Sequence, residues 1–219
     1  MLPRDDSKAG PACGGVCAMA EKGTRNQIVE AADALFYQHG FEYTSFAHIA
    51  SAVGISRGNF YHHFKSKDDI LAAVIAHRLQ RTEAMLQDFE RDGQTPKARI
   101  RCFIRILITN RHKIERFGCP VGTLSTELAK LDHQQKEAAT GLFTLFRDFL
   151  REQFLQLGRR KDADVLALHL LARSQGVATL AVAFDEPDFI ETEVQCMFDW
   201  LDAQLAPPTA PRKRRKARR

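Results

Sequence analysis

The chain has 219 residues, 44% hydrophobic and 27% charged, enough apolar content for a packed core and too much for a chain disordered as a whole. Its longest uncharged apolar stretch, Ser174 to Phe184, is 11 residues against the roughly 20 a spanning helix needs, so no membrane partner is expected. Net charge is +5, but seven of the 32 basic residues fall within Arg212–Arg219; without those seven, 25 basic residues stand against 27 acidic, and global basicity is no argument for a nucleic-acid partner.

Residues 1–20 are rich in Gly, Ala, Pro and Cys without apolar periodicity and read as a disordered tail. Asp5 and Asp6, with no leucine-rich core beside them, do not read as a secretory signal. Met19 stands directly before a good helix start and could be the start of translation. Five scattered cysteines (13, 17, 102, 119 and 196) make no disulfide framework, which leaves a reducing, cytoplasmic setting as the default. Cys13 and Cys17 lack a second ligand pair, so zinc is not expected, and no other cofactor is expected.

From there every strong signal is helical. Thr24 with Gln27 reads as a capping box, followed by Ile28, Ala31, Ala32, Leu35 and Phe36 on one face and a stop at Gly40. Thr44 is a plausible cap for a short helix ended by Gly54, and Ser56 caps another through about His63. Ser66 and Asp69 open a long fourth helix with Ile70, Leu71, Val74, Ile75, Leu79, Leu86 and Phe89 on its inner face. Further helices are expected from Thr95 to about Arg116, Thr123 to Lys130, Gln134 to Leu157, Asp162 to Phe184 and Pro187 to Leu205, with Gly118–Gly122 as an interruption. The expectation is an all-α chain of about nine helices, closed by a basic tail over 206–219.

Residues 44–64 carry the functional signal. Two short helices meet at a turn with Gly54 at the bend, as a helix-turn-helix requires. The second exposes Arg57, Gly58, Asn59, Tyr61, His62 and His63, an odd set for a purely structural helix. Arginine pairs bidentately with guanine and asparagine with adenine. Gly58 has no side chain to hold the backbone off a groove, and Tyr61 and Lys67 can donate to phosphates. Phe60 and Phe64 read as core. The His62–His63 pair points about 100° apart on a helix and is a poor metal site.

The run Gly54-Ile-Ser-Arg-Gly-Asn-Phe-Tyr61-His-His-Phe64-Lys-Ser-Lys67-Asp-Asp-Ile-Leu71, preceded by Ile28-Val-Glu-Ala-Ala-Asp-Ala-Leu-Phe36 and Gly40-Phe-Glu-Tyr-Thr44, resembles the TetR/AcrR family of transcriptional regulators over about residues 22–75. The resemblance implies a three-helix DNA-binding head over 21–67 and a larger helical ligand-binding and dimerisation body over 68–205. It implies three partners: a double-stranded DNA operator, a second copy in a homodimer, and an unidentified small-molecule effector that relieves repression. By position, Arg57, Gly58, Asn59 and His62 would face bases, and Ser56, the cap of the same helix, belongs to the DNA-binding set. Thr44, Tyr61 and Lys67 would hold phosphates, and Thr24 and Arg25 would lie near the backbone at the head's edge. His63 is either a phosphate contact or solvated.

The body is less specific. Gly118-Cys-Pro-Val-Gly122, with Leu124 and Glu127-Leu128, resembles a pattern found in a subset of the family. Phe103, Leu107, Phe143 and Phe146 are either plain core or the lining of an effector cavity. His169 is either a hydrogen-bonded core residue or a ligand contact. Cys119 is either an inert turn residue or a thiol-based sensor of electrophiles or redox state. The Arg212–Arg219 run reads as a solvated tail that adds non-specific DNA affinity. Paired carboxylates at a plausible site, a nucleophile elbow, a phosphate loop and His/Glu metal spacing are all missing from the sequence, so an enzyme is not expected. A helical small-molecule binder that no longer reads DNA is the competing class.

Overall fold

The computed structural model describes residues 23–184 and 186–206, and among them every regular element is a helix. In order these are α1 (Thr24–His39), α2 (Phe46–Val53), α3 (Arg57–His63), α4 (Lys67–Asp92), α5 (Pro96–Thr109), α6 (Arg111–Phe117), α7 (Pro120–Lys130), α8 (Lys136–Gln156), α9 (Ala163–Ala183) and α10 (Phe189–Leu205). The expected tails, with Cys13, Cys17, Met19 and the basic run, lie outside the described residues apart from Ala206.

The single rod expected from Thr95 to Arg116 is split at Asn110. Its main-chain and side-chain amides both donate to the Ile106 carbonyl, at 3.0 and 3.1 Å, and its own carbonyl starts the next helix. An asparagine side chain that competes for backbone partners favours such a break. With α5 and α6 taken together the count is the nine expected.

Several starts sit one residue or more from their expected place. Asn26 and Gln27 both donate to the Gly23 carbonyl, so α1 begins after Gly23. Thr24 therefore lies inside the first turn and caps nothing. Ser45 is the cap of α2: its hydroxyl accepts from His48 N, while His48 Nδ1 accepts from Ser45 N. The α7 helix begins at Pro120, behind a Cys119 cap, rather than at Thr123. Proline is well suited to that first turn, since its missing N–H would have had no helical partner.

The helices alternate in direction, which fixes two ends of the molecule. Helix α4 runs away from the α1–α3 head, and α5 starts back after a three-residue link. His133 and Gln134 touch Asp68 where α8 begins, and Gln153 meets Arg99 where it nears its end. So α8 runs down beside α4. Helix α9 climbs back until Val182 reaches Gly118, and α10 descends from Glu191 beside Arg111 to Asp202 beside Lys97.

Two apolar cores result. One joins α1–α3 and the first turns of α4 with Leu124 and Leu128 of α7 and Ala139 of α8. The other fills the body between α5, α6, α8, α9 and α10. By length and composition α9 is long and apolar enough to cross a bilayer, which counting uninterrupted runs missed because Asp164 and Arg173 divide it. Here one side of it packs into the body, and both charges are paired, with Arg147 and Glu193.

Candidate nucleic-acid interface

Helix α3 is short, and its position is set from three sides. Gly54 takes the left-handed conformation (φ +74°) that ends α2, and Ile55 N returns to the Ala50 carbonyl. The Ser56 hydroxyl accepts from Asn59 N at 3.3 Å and caps α3. Phe60 is buried edge-to-face on Phe46, with centroids 5.1 Å apart. These contacts turn Ser56, Arg57, Gly58, Asn59, Tyr61 and His62 outward as one exposed face, with His63 half-buried at its edge.

A Cβ placed on Gly58 would meet nothing within 4 Å, so nothing inside the chain demands glycine there. The space it leaves lies outside the protein. Beside it, Ser45, Phe46, Ala47, Ala50, Arg57, Phe60 and Tyr61 line a crevice of about 260 Å³ between α2 and α3. The Arg25 guanidinium lies over the buried Phe64 ring at 4.8 Å, which places the start of α1 next to the end of α3.

Two residues expected at phosphates have their polar atoms engaged within the chain. Thr44 is 1% exposed, and its hydroxyl donates to the Gly40 carbonyl at 2.7 Å. Gly40 ends α1, so the Thr44 side chain is turned inward to close that link. The Lys67 ammonium donates to the Phe41 and Glu42 carbonyls, each at 3.1 Å, and lies over the Phe41 ring. It ties the first turn of α4 to the α1–α2 link. Lys65, exposed and two residues earlier, is the freer cation near α3, although its Nζ reaches the Tyr61 carbonyl.

The sequence reading missed the residues that bind this head to the body. The Glu127 carboxylate of α7 accepts from Phe41 N and Glu42 N, both at 2.9 Å. Tyr37 of α1 donates to the Gly118 carbonyl at 2.7 Å, within reach of the Lys113 carbonyl also. Burial, and secondarily the nearness of Cys119, push its hydroxyl pKa up to about 12. Arg78 of α4, 8% exposed, donates to Asp33 of α1 at 2.5 Å and to the Pro120 carbonyl at 2.6 Å. A charge at the inner position following Val74 and Ile75 was the available signal for Arg78. For Glu127 it was an acid sharing a helix face with Leu124 and Leu128.

Of the expected effector residues, Phe103, Leu107, Cys119, Phe143 and Phe146 lie in or against the body core, and His169 lies outside it. Phe103 and Leu107 are buried, and Phe103 packs edge-to-face on Phe146 at 5.6 Å, with Phe143 partly buried in the same core. His169 is exposed and stacks on Trp200 at 4.6 Å, which removes the core alternative for it. Its neighbours Leu166, Ala167 and Leu170 take the inward side of α9. Cys119 is half-buried, and its Sγ accepts from Gly122 N. The expected five-residue joint shrinks to Gly118 and Cys119, because Gly122 is helical and lies against Gln175 of α9.

The profile described as "Bacterial regulatory proteins, tetR family" matches residues 28–74, from α1 into α4. An HTH-type transcriptional regulator of the lacX 3' region in Lactococcus lactis subsp. lactis is 26% identical over 176 residues, 78% of this chain and 89% of that protein. TtgR of Pseudomonas putida, an HTH-type transcriptional regulator, is 42% identical over 52 residues, which span only a quarter of each chain. A TetR transcriptional regulator from Legionella pneumophila superposes with a TM-score of 0.75 at 24% identity, covering 86% of this chain and all of that one. The helix-turn-helix with its outward polar face, the all-helical body and these likenesses place the chain in the TetR/AcrR family of DNA-binding transcriptional regulators.

Proposed function

We propose that the chain is a homodimeric repressor that holds α3 in the major groove of its operator and leaves it when a small molecule binds the body. The observation that carries the reading is the α3 face itself: Arg57, Asn59 and His62 exposed around a glycine that the protein's own interior does not require. Arg57, Asn59 and His62 read base edges in this proposal. Ser56, Tyr61, His63 and Arg25 face the sugar-phosphate backbone, and Lys67 supports the head rather than touching DNA. The functional division remains 21–67 for the head and 68–205 for the body, although α4 supplies core to both. Incubating the protein with the DNA upstream of its own gene tests the reading. A footprint of two half-sites is expected, and no sequence preference there would sink it.

Dimerisation is supported by α9. Val165, Leu168, Ala172, Gly176, Leu180 and Ala183 form an exposed stripe of apolar and small residues along it. As at Gly58, a Cβ added to Gly176 would meet nothing within 4 Å, so a partner helix could approach closely. The apolar stripe of α10 serves the protomer itself: Ile190, Val194, Met197, Phe198 and Leu201 are buried within it. Thr192, Cys196, Asp199 and Ala203 are its exposed side. A four-helix bundle of α9 and α10 from two copies would set the heads for successive major grooves, about 34–36 Å apart.

Release is proposed to act at Gly118–Cys119. Tyr37 and Arg78 hold the carbonyls of Gly118 and Pro120, so a ligand that shifts α7 must pull on α1 and α4 at once. Separating the heads by a few ångströms would break their register with the two grooves. By linkage, DNA weakens ligand binding by the factor with which the ligand weakens DNA binding. Cys119 favours a second reading, because an adduct on its Sγ would remove the cap of α7. Cys119→Ser separates the two: a reversible ligand still releases DNA from the variant, whereas an electrophile does not.

A further inference from the structure

Between α1 and α4, beside the tie that joins head to body, lies a cavity of about 510 Å³ lined by Glu30, Asp33, His77 and Arg81. Its charges are sorted by helix. Glu30 and Asp33, three apart, share one face of α1, and His77 and Arg81, four apart, share one face of α4. Two acids therefore stand on one wall, and a guanidinium and an imidazole stand on the other. No apolar side chain is among the four, which suits a small polar molecule rather than a hydrophobic one.

These groups are incompletely matched to one another. Asp33 gives one carboxylate oxygen to Arg78 at 2.5 Å. Its other oxygen stands 4.0 Å from Arg81, beyond hydrogen-bonding reach. The Arg81 side chain is 70% exposed and free to swing into the cavity. His77 is half-buried, and its Nε2 is covered without a hydrogen-bond partner among the described residues. A covered polar atom left unbonded costs free energy, and that cost is recovered when it finds a partner. Turning the ring toward the cavity gives it one on a molecule bound there.

Charge decides the class of that molecule. A simple cation would be faced by Arg81, and a simple anion would lie against Glu30 and Asp33. A metal ion is a poor occupant, since among the described residues no three acids, histidines or cysteines are grouped to hold one. A molecule with both signs meets both walls, its ammonium at the carboxylates of α1 and its carboxylate at Arg81 and the His77 N–H. We propose that this cavity binds a small zwitterion, a free α-amino acid, through its ammonium and carboxylate groups. Asp33 also holds Arg78, which donates to the Pro120 carbonyl, so the occupant bears on the joint between head and body. The site is independent of the operator reading.

The test uses the full chain without DNA. Each standard L-amino acid is added at about 10 mM in thermal unfolding, and those that raise the midpoint are titrated by calorimetry. At least one is expected to raise the midpoint by about 3 °C or more and to bind about one per chain with a Kd of about 1 mM or lower. Its N-acetyl derivative lacks the ammonium and its methyl ester lacks the carboxylate, and each is expected to bind at least about tenfold more weakly. Arg81→Gln and Glu30→Gln are expected to keep the helical content of the wild type and to weaken binding by about tenfold or more. His77→Phe removes the unbonded nitrogen. It is expected to weaken the ligand while leaving the ligand-free protein at least as stable, a combination that a merely structural histidine would not give. The proposal is overturned if no amino acid shifts the midpoint, if the N-acetyl derivative binds as well as its parent, or if binding is unchanged in Arg81→Gln or Glu30→Gln.

Discussion

Helices α3 and α9 each leave one side out of the core, and the two sides are opposite in kind. On α3 the outward residues are Arg57, Gly58, Asn59 and His62, with the apolar Phe60 turned in. On α9 they include Val165, 67% exposed, with Leu168 and Leu180. A polar face is stable in water and available to a polar partner. An apolar stripe of that length costs free energy until it is covered. In the proposed function one helix is thus kept open for DNA and the other for a second copy of the chain. The geometry links the tasks, since covering α9 is what would place two copies of α3 in register.

The largest effect should follow from a change on α9, far from any base. Leu168→Asp with Leu180→Asp puts two carboxylates into the proposed interface without touching the protomer's core. The variant should sediment as a monomer with its helical content intact. Its affinity for a two-half-site duplex should fall by on the order of 10²- to 10⁴-fold, because the second head no longer binds as part of one unit. A variant that stays dimeric, or a monomer that binds as tightly as before, would break the link between the two faces.

Next in size is the tie between head and body. Arg78 is buried against Asp33, and removing one member of a buried pair typically costs 3–5 kcal/mol. Arg81 stands 4.0 Å from the same carboxylate and can take up part of the charge, so Arg78→Ala should cost about 3 kcal/mol in urea unfolding. Adding Asp33→Ala should restore part of that loss. If Arg78→Ala costs below about 1 kcal/mol, the head and body are not held together by this pair.

Within α3, Asn59→Ala should cost about 1–3 kcal/mol of operator binding and relax the preference at one base pair. Stability should scarcely change, since the side chain is exposed and only its backbone N–H serves the Ser56 cap. Unchanged specific binding would move the reading face off α3.

What could be read in the sequence divides along the same line. The caps at Ser56 and Ser66, the glycines at 40 and 54, and the burial of Phe60 and Phe64 depend on neighbours a few residues away, and local spacing encodes them. Thr44 and Lys67 are local in sequence too, but their roles depend on how the α1–α2 link folds back on α4. Position by family pattern put both on phosphates, whereas the fold gives their polar atoms to backbone carbonyls. Glu127 and Phe41 are 86 residues apart and Tyr37 and Gly118 are 81 apart, and no helical period connects such pairs. The core alternative for His169 failed for a related reason. An apolar helix that serves two surfaces shows no polar side from which to orient it, so periodicity could not say which residues of α9 face inward.

The smallest effect concerns Tyr37, and its value lies in its sign. The hydroxyl donates to the Gly118 carbonyl only while protonated, and burial, then Cys119, raise its pKa to about 12 from an ordinary value near 10. Below pH 10 both the folded and unfolded chains hold the proton, and the contribution to stability is complete. Between pH 10 and 12 the unfolded chain loses its proton first, so stability falls as pH rises. Tyr37→Phe removes the hydrogen bond and the titration together. At pH 8 the wild type should be the more stable by roughly 0.5–1.5 kcal/mol. That advantage should shrink steadily from pH 10 towards pH 12, with the other alkaline titrations cancelling in the difference. A difference that stays flat across this range would mean that Tyr37 is solvated and that the α6–α7 joint is free of α1. A ligand at Gly118 would then have to act on the head through Arg78 and Glu127 alone.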